Sequence, residues 1–199
     1  MSISVDKTLR KAQSHIKAGQ LAEAEELYKQ ILVKFPKNKK AIQGYQKLKS
    51  GINFKGSLND EAPQDELEEL LSQYNQGQYE ELLLKIKPLI SLFPKDIHLY
   101  NMQGAANAAL HKYDAAIESY EKALKIDPNY PEAYSNMGNA LHSKGELDAA
   151  ICCLKKAIKI KPNFADAHIN MGTALEKKGD LDAAIDNFRK ALKIDPNYS

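Results

Sequence analysis

The sequence has only two cysteines, and they are neighbours, Cys152 and Cys153. Adjacent cysteines bridge only with strain, so no disulfide framework staples this fold, and a reducing, cytoplasmic setting is expected. Arginine is almost missing. Two arginines stand beside 26 lysines, which leaves few bidentate clamps for phosphate or carboxylate. Long apolar runs are absent as well. The longest are a few residues, such as Leu82-Leu83-Leu84, so no membrane span is expected. The start, Met1 to Lys7, lacks a basic stretch followed by an apolar one, so no secretory signal is expected. A net charge of +2 on 199 residues argues against a dedicated nucleic-acid binder. With 43% apolar and 27% charged residues, the chain is nevertheless rich enough in core-forming side chains to fold.

Enzymatic signatures are missing too. There is no glycine-rich phosphate loop, no zinc-protease helix motif, no nucleophile elbow and no C-x-x-C. No two of His15, His98, His111, His142 and His168 lie at helical i,i+4 spacing. The chain is therefore read as a non-enzyme with no cofactor and no metal, and the two cysteines as structural. Asn197-Tyr198-Ser199 fits a glycosylation pattern but is incidental without a secretory signal.

What the sequence does have is a period. Pro94, Pro128, Pro162 and Pro196 are each 34 residues apart, and Pro36 lies 58 before Pro94, one period plus 24. Gly104, Gly138 and Gly172 keep the same step, as do Gly145 and Gly179, with Gly77 and Gly19 in their register. Repeats at such a period are the mark of a stacked array. Five units follow: 5–38, 63–96, 97–130, 131–164 and 165–198. In the fourth, Tyr134, Met137, Gly138 and Leu141 recur at helical spacing. Lys144-Gly145-Glu146 breaks the pattern, and Leu147, Ala150, Ile151, Leu154, Ala157 and Ile158 form a second apolar face that stops before Pro162. Each unit reads as helix, tight turn and antiparallel helix.

Residues 39–62 fall off the lattice. Ala41, Ile42, Tyr45 and Leu48 have helical spacing, and Gly51, Gly56, Ser57, Asn59 and Asp60 mark a linker. The expected organisation is one repeat plus an extra helix over 1–50, a linker over 51–62, and four repeats over 63–199. Residues 1–62 carry 12 basic and 6 acidic residues, whereas 63–96 carry 3 and 7. Lys34, Lys37, Lys39, Lys40, Lys47 and Lys49 cluster near the end of the first block. They are either a solvated face or a dock for an acidic partner such as the helix start Asp65-Glu66-Glu68-Glu69.

This register resembles the tetratricopeptide repeat (TPR). The third unit matches through Tyr100, Gly104, Ala116, Tyr120, Ala123 and Pro128. The fourth does so through Tyr134, Gly138, Leu141, Ala150, Ala157 and Pro162, and the fifth through Gly172, Leu175, Ala184, Phe188, Ala191 and Pro196. The first unit keeps Gly19, Ala24, Tyr28 and Pro36. The second has Leu70 where glycine is usual, and Leu82 and Leu89 where alanine is usual, so it is expected to pack less closely.

The resemblance implies an all-α, right-handed α-solenoid of helix–turn–helix repeats that binds a peptide or partner protein in its concave groove. Carried onto this chain, the groove positions would be His98 and Asn101 in the third unit. In the fourth they would be Glu132, Ser135, Asn136, Asn139 and His142, and in the fifth Asp166, Asn170, Thr173 and Lys177. Units 131–198 also resemble the repeats of the O-linked N-acetylglucosamine transferase family, with Asn136 and Asn170 one period apart as an amide ladder. An amide offers donors and an acceptor together and so grips an extended backbone. The leading expectation is an interaction scaffold. The alternative is the substrate-recruiting N-terminal array of a larger glycosyltransferase- or sulfotransferase-like enzyme. Arrays of this kind end in a polar capping helix, and none follows the fifth unit. Either the chain is a fragment of a longer protein, or its last repeat self-associates.

Overall fold

The structure is a computed structural model that describes residues 4–18, 20–52 and 61–197. Among these residues are eleven α-helices and no strand. They are α1 (Val5–Lys17), α2 (Leu21–Lys34), α3 (Lys39–Ile52), α4 (Gln64–Asn75), α5 (Tyr79–Leu92) and α6 (Ile97–Ala109). Then come α7 (Tyr113–Ile126), α8 (Pro131–Lys144), α9 (Leu147–Ile160), α10 (Ala165–Lys178) and α11 (Leu181–Ile194). Gly51 and Ile52 continue α3, while 53–60 of the expected linker lie outside the described residues. So do the turn glycine Gly19 and the last two residues of the glycosylation pattern.

Local chemistry sets the helix ends. The turn after α8 is closed by Glu146 N–H to Leu141 O and Gly145 N–H to His142 O, both 2.9 Å, with Gly145 at φ 85°. This is a Schellman ending, which needs a left-handed residue that glycine adopts without a Cβ penalty. Gly179 and Gly77 end α10 and α4 in the same way, at φ 91° and 73°. His111 holds the equivalent place after α6 at φ 58°. Here an L side chain stands where the lattice elsewhere has glycine, and its ring bonds Tyr113 Oη at 2.8 Å. The prolines act at the other junctions. After α7, Asp127 Oδ1 accepts from Asn129 N–H at 2.8 Å, folding the Asp-Pro-Asn turn that starts the next repeat.

The chain divides into two compact units, Met1–Asp96 and Ile97–Ser199. The second is three helix pairs, α6/α7, α8/α9 and α10/α11, stacked in order. Within each pair the glycine of the first helix receives a large side chain of the second. A Cβ built on Gly104 would lie 2.4 Å from the Tyr120 ring, one on Gly172 2.4 Å from the Phe188 ring, and one on Gly138 2.7 Å from Leu154. The missing side chain is therefore what lets each pair close. Between pairs, Met137, Ala140 and Leu141 of α8 cover Ile117 and Tyr120 of α7. Met171, Ala174 and Leu175 of α10 cover Ile151, Leu154 and Ile158 of α9.

The first unit is built around Tyr28, which is fully buried together with Ala12, Ile31, Leu32, Ala41, Tyr45 and Leu48. Residues 63–96 belong to this unit, although the sequence groups them with the three repeats that follow. The reason lies in α5, which packs on α2 and α3 and adds Leu92 and Phe93 to their core. Polar ties reinforce the grouping. Lys29 Nζ bridges Glu25 at 3.2 Å and Glu66 at 2.7 Å, and Tyr45 Oη donates to Glu25 at 3.2 Å. The acidic start of α4 thus meets Lys29, while the side chains of Lys47 and Lys49 in the 34–49 cluster lie outside the described residues. The helices α4 and α5 pack less closely than the pairs of the second unit, as bulky Leu70, Leu82 and Leu89 at small-residue positions require.

Candidate peptide-binding groove

In the second unit the expected groove residues stand on α6, α8 and α10, the first helices of its repeats. His98 is exposed and meets Tyr130 edge-on at 5.9 Å. Asn101 accepts a hydrogen bond at 3.0 Å from Asn136 Nδ2. Asn170 Nδ2 in turn donates to Ser135 Oγ at 3.2 Å. Asn136 and Asn170 each reach back 35 residues to the repeat before. Ser135 is fully buried, so its hydroxyl fixes Asn170 and does not face the groove. Thr173 Oγ1 is turned onto its own helix, donating to Ile169 O at 3.1 Å. Glu132 pairs with Lys161 Nζ at 2.9 Å, and that ammonium also lies 4.6 Å above the Phe164 ring. Asn139, Asp166 and Lys177 are exposed.

His142 is half-buried, and its Nε2 is enclosed with no hydrogen-bond partner among the described residues. Burial holds its pKa below the ordinary 6.5, and the charge of Lys177 pushes it the same way. The ring is therefore neutral at pH 7 and keeps an unused polar edge. By contrast Cys153, on the buried side of α9, has its thiol pKa pushed up to about 11, chiefly by burial. It is an inert core residue, and among the described residues no cluster of three or more His, Cys, Asp or Glu could hold a metal.

The first unit holds a cavity that the sequence-derived groove positions miss. It measures about 740 Å³ and opens between α1 and α3. Asp6, Arg10 and Gln13 line it from α1, Lys40, Gln43 and Gly44 from α3, with Tyr28 between them. The signal is present on the lattice. Asp6, Arg10 and Gln13 occupy the repeat positions that Glu132, Asn136 and Asn139 occupy in the fourth unit. Lys40 and Gln43 fall on those of Glu132 and Ser135, because α3 is the first helix of a further repeat.

Sequence profiles of known families decide the relationship. One described as "TPR repeat" matches residues 104–145 and 138–179, and two described as "Tetratricopeptide repeat" match 165–198 and 9–38. The chain belongs to the tetratricopeptide repeat family. Solved structures place this TPR chain in the α-solenoid class. A crystal structure of MamA is 25% identical, with TM-score 0.59, over 93% of this chain and 94% of that one. YrrB, described as a TPR protein with an unusual peptide-binding site, is 20% identical with TM-score 0.60, covering 96% and 86%. TTC0263, a thermophilic TPR protein in Thermus thermophilus, is 18% identical with TM-score 0.59, covering 98% and 93%. No curated protein sequence matches the chain. TPR arrays are protein-interaction scaffolds, and none of the described helices of this one is long and apolar enough to cross a membrane.

Proposed function

We propose that this TPR protein binds an extended peptide segment of a partner along the concave faces of its first helices, without catalysing a reaction. The observation that carries this reading is the cavity of the first unit. It is lined from the same repeat positions that present Asn136, Asn139 and His142 in the second unit. Two compact units thus carry polar side chains at equivalent positions, as a surface used for backbone recognition requires. Arg10 and Lys40 give the first groove a basic rim. Asn101, Asn136, Asn170 and His142 give the second a nearly neutral, amide-rich one. The unusual peptide-binding site ascribed to YrrB is in keeping with such a use. Nothing favours the reading as the recruiting arm of a transferase.

The test is to select peptides on the intact chain from a random display library. Affinities of the winners are then compared by fluorescence anisotropy for Arg10→Ala with Lys40→Ala, and for Asn136→Ala with Asn170→Ala. A loss of at least about tenfold for one of the pairs, about 1.4 kcal/mol, with helical circular dichroism unchanged, is expected. Affinities that stay level in both pairs would place the binding surface elsewhere.

A further inference from the structure

Helix α11 has one broad apolar face, only part of which is covered. One side, with Ala184 and Ala191 buried and Phe188 set against Gly172, packs on α10. The other is open. Leu181, Ile185 and Leu192 are 59%, 46% and 50% exposed. They lie at i, i+4 and i+11 and so form one continuous stripe.

The lattice shows what such a stripe is for. One period earlier, Ile151 and Ile158 occupy the places of Ile185 and Leu192, and Ile151 is only 8% exposed. They are covered by Met171, Ala174 and Leu175 of α10. The same trio in α8 covers α7. A covering helix therefore needs apolar residues at those three positions. In α1 they are Lys11, Ser14 and His15, so head-to-tail growth onto the first helix of another copy has no apolar face to use.

Charge along α11 points to its own counterpart. Asp182 and Asp186 stand in its first half and Arg189 and Lys193 in its second, on one edge about 100° around the helix from the stripe. An antiparallel second α11 sets each acidic half against a basic half and opposes the two helix dipoles. A parallel one sets that edge against the partner's other flank, that of Ala184 and Ala191, where no charge answers it. We infer that the chain forms a two-fold symmetric dimer by antiparallel packing of α11 on α11 of a second copy. Leu181, Ile185 and Leu192 form its seam and the Asp182/Asp186 edge meets the partner's basic edge. The contact is isologous and therefore closed. It is small, one helix face per copy, so the dimer is weak and reversible.

The experiment is sedimentation equilibrium of the 199-residue chain from about 10 µM to about 500 µM, at low and moderate salt. A monomer–dimer equilibrium that loosens as salt rises is expected. Ile185→Glu should weaken it at least about tenfold while leaving the melting curve of this exposed position unchanged. Asp182→Lys with Asp186→Lys should weaken it as well, through a different edge of the same helix. A monomer throughout the range, or a dimer indifferent to Ile185→Glu, overturns the proposal. A dimer that tightens with salt, or open-ended assembly, overturns the antiparallel two-fold arrangement.

Discussion

Asn136 Nδ2 donates to Asn101 Oδ1 across 3.0 Å, from one repeat to the one before it. The two residues are 35 apart in a chain whose period is 34. The bond is partly buried, and it fixes the amide that the proposed groove presents. It leaves the Asn136 side chain a second N–H and its own carbonyl oxygen for a ligand.

A double-mutant cycle on this pair should show coupling. Asn101→Ala and Asn136→Ala are each expected to lower stability, with an interaction energy of about 0.5–1.5 kcal/mol from urea denaturation. The exposed Asn139→Ala should be close to neutral. Strict additivity of the first two would mean that the bond contributes nothing in solution.

The left-handed turn position should respond in opposite directions in two repeats. Gly145→Ala forces a Cβ into φ 85° and should cost about 1–2 kcal/mol. His111→Gly relieves a strained φ of 58°, offset by the entropy glycine adds to the unfolded chain. It should leave stability level or raise it by up to about 1 kcal/mol. Thermal unfolding of both variants decides. A clear loss for His111→Gly would show that the exposed His111–Tyr113 bond outweighs the backbone strain.

His142 makes stability pH-dependent in a defined direction. Its folded pKa is depressed by burial and by Lys177, so the unfolded chain takes up the proton first as pH falls. Its contribution is therefore present above pH 6.5 and lost as the pH drops through the folded pKa. Comparing denaturation midpoints at about pH 8 and about pH 5.5, wild type should lose more than His142→Gln. Equal losses would mean that His142 titrates alike in both states.

Much of this molecule is legible along the chain. The spacing of Pro94, Pro128, Pro162 and Pro196 gives the repeat. Small residues in each unit mark where helices approach closely, and the structure sets Tyr120 on Gly104 and Phe188 on Gly172. The glycines at 77, 145 and 179 give the turns. Groove positions are less legible. Ser135 sits at a groove position yet is buried, and Thr173 folds its hydroxyl back onto its own helix. Neither fate leaves a mark on hydrophobic periodicity, because both residues are small and polar wherever they point. Arg10 and Lys40 emerge only when the lattice is extended to the inward positions of the first block, where charged side chains otherwise pass for a solvated helix face.

The linear chain suffices for the period, the helix ends and the residues that close each pair. These depend on backbone conformations and side-chain sizes within some 34 residues. Which repeat touches which is settled only in three dimensions. Asn136 bonds Asn101, 35 residues back, where the period alone points to Met102. Residues 63–96 join the first unit because α5 finds its apolar partners in α2 and α3. Both outcomes follow from the relative placement of whole helices, and a linear spacing carries no record of that.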